Sequence, residues 1–135
     1  MNWNINYTYE EIESVLNEIK SYIKEDKYQV SMNNKRKENR EFNVKYNLTA
    51  KIRKEILLGI KVEDFCYTLN NEHKNYEHEI LYVFAPKINF PETAVQSGNV
   101  TIYVKINLIK DECAVIISFH ELNYPIKYLF RKECI

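Results

Sequence analysis

The sequence predicts a single α+β domain, residues 1–135, in which two helices from the N-terminal half pack on a small antiparallel sheet. A chain of 135 residues suits one domain, because two domains would each be too short to enclose a good core. Apolar residues recur at helical spacing before residue 61 and alternate at strand spacing after residue 79. Helices followed by strands are typical of the α+β class.

The first helix is predicted over residues 9–24. Thr8 and Glu11 have the S/T-x-x-E spacing of a capping box, so Thr8 is the expected N-cap. One apolar face follows at intervals of three or four residues and consists of Ile12, Val15, Leu16, Ile19, Tyr22 and Ile23. The alternating segment 28–32 that comes next predicts a short edge strand.

A basic loop is predicted at 33–45, although a short, loosely held helix would also suit this polar segment. A second helix is predicted at 47–58, with Asn47 as its N-cap and Gly59 as a left-handed terminator. Its apolar stripe consists of Leu48, Ile52, Ile56, Leu57 and Ile60.

The C-terminal half predicts a sheet over 80–130. The compact apolar run 80–84, which ends before Pro86, indicates a central strand. Strict alternation over 100–109 and a further apolar run at 113–119 indicate two more strands joined by a tight turn.

A two-residue turn at Asp111-Glu112 would set the register of this hairpin. Its apolar face would pair Leu108 with Val115, Ile106 with Ile117, and Val104 with Phe119. On the other face, Tyr103 would oppose His120, and Lys105 would oppose Ser118. A tyrosine, a histidine and a lysine would therefore share the face turned away from the helices.

This grouping has the residue types that cleave RNA through its own 2′-hydroxyl. His120 can give or take a proton near neutral pH, and Lys105 can hold a phosphate. Tyr103 can donate a hydrogen bond or stack on a base. The alternative is structural, since a Tyr–His pair on an exposed sheet also stabilises it by cross-strand packing.

Charge is unevenly distributed although the net charge is zero. Residues 28–61 carry nine basic and three acidic side chains, a net charge of +6. A concentrated positive segment is a candidate footprint for a polyanion, and the alternative is a solvated helix face beside a mobile loop.

Several classes of function are not expected. His73 and His78 lie in a polar segment without a nearby cysteine pair, so no metal site is predicted, and no cofactor is expected. No apolar run is long enough to span a bilayer, so no membrane partner is expected. Three scattered cysteines and the absence of a signal peptide predict a cytoplasmic protein with reduced thiols.

Three motifs in this order resemble the MqsR-type mRNA interferases. The first is Leu57-Leu58-Gly59-Ile60 followed by Val62-Glu63-Asp64-Phe65, where a helix ends in a Gly-apolar turn and an acidic Asp-Phe step. The other two are the strands Thr101-Ile102-Tyr103-Val104-Lys105-Ile106 and Val115-Ile116-Ile117-Ser118-Phe119-His120. The resemblance implies a RelE-like fold and the toxin of a toxin–antitoxin pair, which cleaves mRNA and is neutralised by a cognate antitoxin.

The resemblance also implies site residues. The catalytic tyrosine of the family falls on Tyr103, and its C-terminal basic residue falls on His120. A lysine that some members carry after the Asp-Phe step falls on Tyr67, and the glutamine of the first sheet strand falls near Val83, so both positions depart from the pattern.

The leading hypothesis is therefore a metal-independent mRNA interferase. Catalysis would be carried by Tyr103, Lys105 and His120, on mRNA that is either free or on the ribosome. Further RNA contacts would come from Lys35, Arg36, Lys37, Arg53, Tyr67, Lys127 and Arg131. The rivals are a non-catalytic protein-binding module, such as an immunity, antitoxin-like or phage inhibitor protein, and an RNA-binding regulator that does not cleave.

Overall fold

The computed structural model describes residues 3–32, 36–91 and 98–131. In these ranges an α+β fold packs three α-helices on a mixed sheet of six strands. The helices are α1 (Tyr9–Lys24), α2 (Lys37–Lys45) and α3 (Ala50–Leu58). The strands are β1 (Tyr28–Val30), β2 (Phe65–Asn70), β3 (Ile80–Phe84), β4 (Lys87–Phe90), β5 (Gly98–Ile109) and β6 (Cys113–Glu121).

The first helix confirms its prediction, including the cap. The Glu11 amide donates to the Thr8 hydroxyl over 3.1 Å, and the Thr8 amide donates to the Glu11 carboxylate over 2.8 Å. These reciprocal bonds satisfy amides that the first turn leaves without partners. The buried face of α1 consists of Ile12, Leu16, Ile19 and Ile23.

From residue 37 onward the basic loop predicted at 33–45 is wrong, and the alternative of a short helix is confirmed by α2; residues 33–35 lie outside the described ranges. This helix has a weak apolar pattern because its buried residues are one aromatic side chain, Phe42, and one amide, Asn39. The turn that follows places Asn47 in a left-handed conformation with φ of 50°.

The second predicted helix is α3, and it begins three residues later than expected. Thr49 caps it by accepting a hydrogen bond from the Ile52 amide over 3.2 Å, so the prediction of Asn47 as the cap is wrong. Gly59 does follow the last turn, but its φ of −85° is right-handed.

The sheet has the strand order β1-β6-β5-β3-β2, with β4 paired to the first part of β5. The short strand β1 lies at one edge, as predicted, but it runs parallel to β6. The sheet is therefore mixed, and the prediction of a purely antiparallel sheet is wrong. The predicted limits of 80–130 are wrong at both ends, because β2 begins at Phe65, directly after a 3₁₀ turn at Val62–Asp64, and the last strand ends at Glu121.

The β5–β6 hairpin has a three-residue turn at 110–112, in which Asp111 adopts a φ of 65°. Near the turn the register is therefore shifted by one from the prediction, and Ile106 pairs with Ile116. A bulge at Ile117 then restores the predicted pairs, which are Lys105 with Ser118, Val104 with Phe119, and Tyr103 with His120.

The helices cover one face of the sheet, and the main core lies between the two layers. The other face carries a smaller apolar cluster of Cys66, Tyr67, Val83, Ala85, Tyr103 and Tyr128. The segment 122–131 crosses this second face and is held by the Tyr128 hydroxyl, which donates to the Ala85 carbonyl over 2.6 Å. Within the described ranges, no helix has the length and apolar content needed to cross a membrane.

The bulge at Ile117 is held by the side chain of Asn39 from α2, which is almost completely buried. Its amide nitrogen donates to the carbonyls of Ser31 and Ile117 over 2.8 and 2.9 Å. Its oxygen accepts from the Phe119 amide over 2.8 Å. One side chain thus satisfies the backbone groups that the bulge removes from the β-ladder.

We expect Asn39→Ala to lower the free energy of unfolding by about 2–4 kcal/mol, because three hydrogen bonds are lost and buried backbone groups keep no partner. Urea denaturation followed by circular dichroism measures the change. Asn17→Ala on the exposed side of α1 is the matched control, with an expected change within about 0.5 kcal/mol. Equal stability of the two variants would contradict the role assigned to Asn39.

Candidate functional site

Two adjoining cavities lie on the sheet face opposite the main core, and α2 borders the smaller one through Glu38 and Asn39. The larger cavity has a volume of about 790 Å³, and the smaller cavity has a volume of about 400 Å³. Both are lined by the same four side chains, which are Arg36, Tyr103, Lys105 and Tyr124. His120 and Ser118 line the smaller cavity, whereas Trp3 and Tyr67 line the larger one.

Tyr103 and His120 stack across the β5–β6 ladder, with ring centroids 5.4 Å apart and planes inclined by 24°. The Nδ1 atom of His120 lies 2.9 Å from the Glu121 carbonyl oxygen. A carbonyl oxygen only accepts hydrogen bonds, so this contact favours a proton on Nδ1. In the neutral ring, Nε2 then keeps its lone pair and is available to accept a proton.

A carboxylate also faces His120. The Oε2 atom of Glu38 lies 3.7 Å from Nδ1 of His120, close enough for an ion pair when the ring is protonated. Asn123 donates a hydrogen bond to the same carboxylate oxygen over 3.0 Å. Once His120 has accepted a proton, Glu38 therefore stabilises the resulting cation.

Tyr103 is a proton-bearing group in this site, because its side chain is only 7% exposed. Burial, reinforced by the neighbouring hydroxyls of Tyr67 and Tyr124, raises the pKa of Tyr103 well above its ordinary value. Burial, followed by the Tyr124 hydroxyl, also raises the pKa of Tyr67, while its hydrogen bond with Tyr103 acts in the opposite direction. Both phenols therefore stay protonated at neutral pH, and Tyr103 acts as a hydrogen-bond donor rather than a base.

Two cations, Arg36 and Lys105, line both cavities. Burial, with the nearby charge of Arg36, lowers the pKa of Lys105, while Glu72 acts in the opposite direction. Removal from water and a like charge both disfavour the charged ammonium group, whereas the carboxylate of Glu72 favours it. An anion bound between Arg36 and Lys105 would relieve this repulsion, so the pair is suited to a phosphate.

Five of the predicted site residues converge on the cavities. The β5–β6 hairpin contributes Tyr103, Lys105 and His120. Strand β2 contributes Tyr67, and Arg36 is the residue that precedes α2. Lys35 lies outside the described residues. The hairpin brings the first three together because the bulge leaves Ser118 and His120 on the cavity side.

The remaining predicted RNA contacts lie away from both cavities. Arg53 donates to the Asn43 side chain over 2.6 Å and joins α3 to α2. Arg131 pairs with the buried carboxylate of Asp64 over 2.8 Å and so holds the C-terminal segment in place.

Two lysines also lie elsewhere. Lys37 pairs with Glu41 on α2 over 3.6 Å, and both side chains are largely exposed. Lys127 lines neither cavity but a mostly apolar groove, which adjoins the larger cavity and shares Trp3, Tyr67 and Tyr124 with it.

Sequence reasoning missed several residues of the site, above all Trp3 and Tyr124. Trp3 reaches the larger cavity because Asn4 forms a β-bridge with Thr68, with backbone bonds of 3.0 and 2.9 Å. This contact joins residues 64 positions apart, which no local pattern predicts. The only sequence signal was the position of the chain's single tryptophan beside a polar terminus.

Comparison with protein-family models gives no match for this chain, and no curated protein matches its sequence at a significant level. The resemblance to the MqsR-type interferases therefore depends on three short motifs and their order. Function has to be inferred from the residues that line the two cavities.

Cys66 lies beneath the site but is not a nucleophile. Its side chain is buried, and its Sγ atom lies 3.5 Å from the Asp64 carbonyl oxygen. Burial raises the pKa of the Cys66 thiol to about 12. The reactive form of cysteine is the thiolate, so Cys66 is inert near neutral pH.

We expect a variant that keeps only Cys66, Cys113→Ser/Cys134→Ser, to react with a thiol reagent about 1,000-fold more slowly than an unfolded thiol, in line with its raised pKa. Absorbance of the released reagent measures the rate. The matched variant Cys66→Ser/Cys134→Ser keeps only the half-exposed Cys113 and should react readily. Equal rates for the two folded variants would overturn this assignment.

Proposed function

We propose that this chain is a metal-independent endoribonuclease of RelE-like fold, the toxin of a toxin–antitoxin pair, which cleaves mRNA in the cytoplasm. One observation carries the proposal, namely the convergence of His120, Tyr103, Lys105 and Arg36 on one open face. This face offers a proton acceptor, a neutral donor and two cations. These are the groups that cleavage through a 2′-hydroxyl requires.

In the proposed reaction, Nε2 of His120 removes the proton from the 2′-hydroxyl of RNA. The 2′-oxygen forms a bond to phosphorus while the bond from phosphorus to the 5′-oxygen breaks, which leaves a 2′,3′-cyclic phosphate. Lys105 and Arg36 stabilise the charge on the phosphate oxygens. Lys105 also gives a proton to the departing 5′-oxygen, since its lowered pKa makes it a better acid than an exposed lysine.

The remaining groups hold this arrangement. Tyr103 donates its hydroxyl proton to a phosphate oxygen or to the 2′-oxygen, and its ring supports the imidazole of His120. Glu38 stabilises His120 after it has accepted the proton. DNA lacks the nucleophile, so the proposal limits the substrate to RNA.

The toxin assignment is supported by the three motifs that resemble the MqsR-type interferases. Two of them lie in the β5–β6 hairpin, and the first runs from the end of α3 through the 3₁₀ turn to Phe65, the first residue of β2. The cognate antitoxin is the expected protein partner, and mRNA, free or on the ribosome, is the expected substrate.

A second candidate function is a non-catalytic protein-binding module. Its support is the exposure of Trp3, Ile5 and Tyr124, at 50%, 56% and 48%, which together line the mostly apolar groove that holds Lys127. Exposed apolar groups that lie together often mark a protein interface. Neutral net charge is also less typical of an RNA-binding enzyme than of such a module.

We expect His120→Ala to slow RNA cleavage by the purified protein about 100- to 10,000-fold, which is the usual contribution of a general base. Mapping of new RNA ends in a bacterium that expresses the protein, together with growth curves, gives the same comparison in cells. His78→Ala is the matched control, because His78 is exposed and lines neither cavity. Circular dichroism checks that both variants fold.

Two results would contradict the proposal in different ways. If His120→Ala cleaves as fast as the wild type, the assignment of the base is wrong. If folded wild-type protein leaves RNA and growth unchanged, the enzyme proposal is wrong. Capture of a single tight-binding partner by that inactive protein would then favour the binding module.

We expect Tyr103→Phe to lower the cleavage rate about 10- to 100-fold, because one hydrogen-bond donor to the transition state is lost. The raised pKa of Tyr103 keeps its proton in place through neutral and mildly alkaline pH. The pH–rate profile of the variant should therefore have the same midpoints as that of the wild type and a lower maximal rate. A shifted midpoint would show that Tyr103 titrates during the reaction, and Tyr76→Phe is the control at an exposed site.

A further inference from the structure

Trp3 forms a two-ring stack with Tyr67 in the wall of the larger cavity. The ring centroids are 4.8 Å apart and the planes are inclined by 15°, so the rings are close to parallel. Tyr67 is buried, whereas Trp3 is 50% exposed. One face of the indole is therefore covered by the phenol, and a large part of the remaining ring surface is open to a ligand.

The position of Trp3 is set by the β-bridge between Asn4 and Thr68. Two backbone hydrogen bonds of 3.0 and 2.9 Å form this bridge. Because successive side chains of an extended chain point to opposite faces, Trp3 and Tyr67 lie on the same face, diagonal to each other. The Tyr7 hydroxyl also bonds the Thr68 hydroxyl over 2.9 Å and helps hold this segment.

The same cavity connects this stack to the phosphate-binding cations. Trp3, Tyr67, Tyr124, Lys105 and Arg36 all line it, so an aromatic end and a cationic end share one space. Its volume of about 790 Å³ lies within the range of about 300–1,000 Å³ that is usual for ligand pockets. Further polar groups in the wall of this cavity belong to Asn70, Asn71, Glu72 and His73.

We propose that the Trp3–Tyr67 stack is a nucleobase subsite, which binds an unpaired base of the RNA next to the phosphate held by Lys105 and Arg36. The base would lie on the open face of Trp3 and extend the stack to three rings. A base in a duplex is already stacked and paired, so the subsite would select single-stranded RNA. This inference rests on the proposed function, since it assumes that RNA is the ligand of the cationic end.

The single tryptophan of the chain makes the subsite directly observable. The probe is a mixed-sequence RNA octamer with 2′-O-methyl groups, which cannot be cleaved because the nucleophilic hydroxyl is blocked. Titration into the full-length wild-type protein should quench Trp3 fluorescence to saturation. The same octamer annealed to its complement should give no saturable quenching.

Affinities of variants for a dye-labelled octamer, measured by anisotropy, test the energy of the stack. Trp3→Ala should weaken binding about 5- to 150-fold, the effect that loss of one base–aromatic stack produces. Trp3→Phe should recover most of the affinity, which a purely structural role for the indole would not explain. Tyr76→Ala is the control, since Tyr76 is 55% exposed and lines neither cavity.

The outcomes separate the subsite from the proposed function. If the wild type cleaves RNA while Trp3→Ala binds and cleaves as the wild type does, the subsite is wrong and the enzyme proposal stands. If the octamer quenches Trp3 saturably but no RNA is cleaved, the subsite stands and the enzyme proposal fails. If the octamer does not bind, or if the duplex quenches Trp3 equally, the subsite is overturned.

Discussion

The buried amide of Asn39 is the contact on which the candidate site depends. It holds the bulge at Ile117, where β6 carries one residue more than β5. If Ile117 paired regularly instead of bulging, strict alternation would put Ser118 and His120 on the same face as Ile116, in the core. With it, Ile116 and Phe119 both pack under the helices, and Ser118 and His120 face the cavities. The bulge thus lets β6 place apolar side chains in the core and polar side chains at the candidate site.

The chemistry of the site follows from how far its groups are removed from water. The C-terminal segment crosses the second face of the sheet, where Leu129 bonds the Phe65 carbonyl and Arg131 pairs with Asp64. The C-terminal segment helps to bury Tyr103, and this burial keeps the Tyr103 hydroxyl protonated. Lys105 is also largely removed from water, which weakens its hold on a proton. Arg131, which sequence reasoning assigned to RNA, thus supports the site by holding its cover.

Local pattern predicted the elements that have strong periodicity, namely α1, α3 and the β5–β6 hairpin. It favoured a loop over a short helix at α2 because this helix buries only Asn39 and Phe42, too little to produce an apolar stripe. The Tyr103–His120 pair was predicted correctly although the turn was predicted too short, because the bulge cancels the error of one residue. Trp3 could not be placed at all, since its position depends on the long-range bridge between Asn4 and Thr68.

The zero net charge of the chain does not conflict with a polyanionic substrate, because attraction depends on where charge lies. Arg36 and Lys105 face a concave, partly buried space, where low-dielectric walls focus their field. Several other basic residues are neutralised nearby, as Arg131 is by Asp64 and Lys45 is by Glu121. Arg36 and Lys105 share these cavities with the carboxylates of Glu72 and Glu38, so the site would draw one or two phosphates rather than a long stretch of backbone. Binding would then owe more to stacked bases than to counterion release, and its dependence on salt would be shallow.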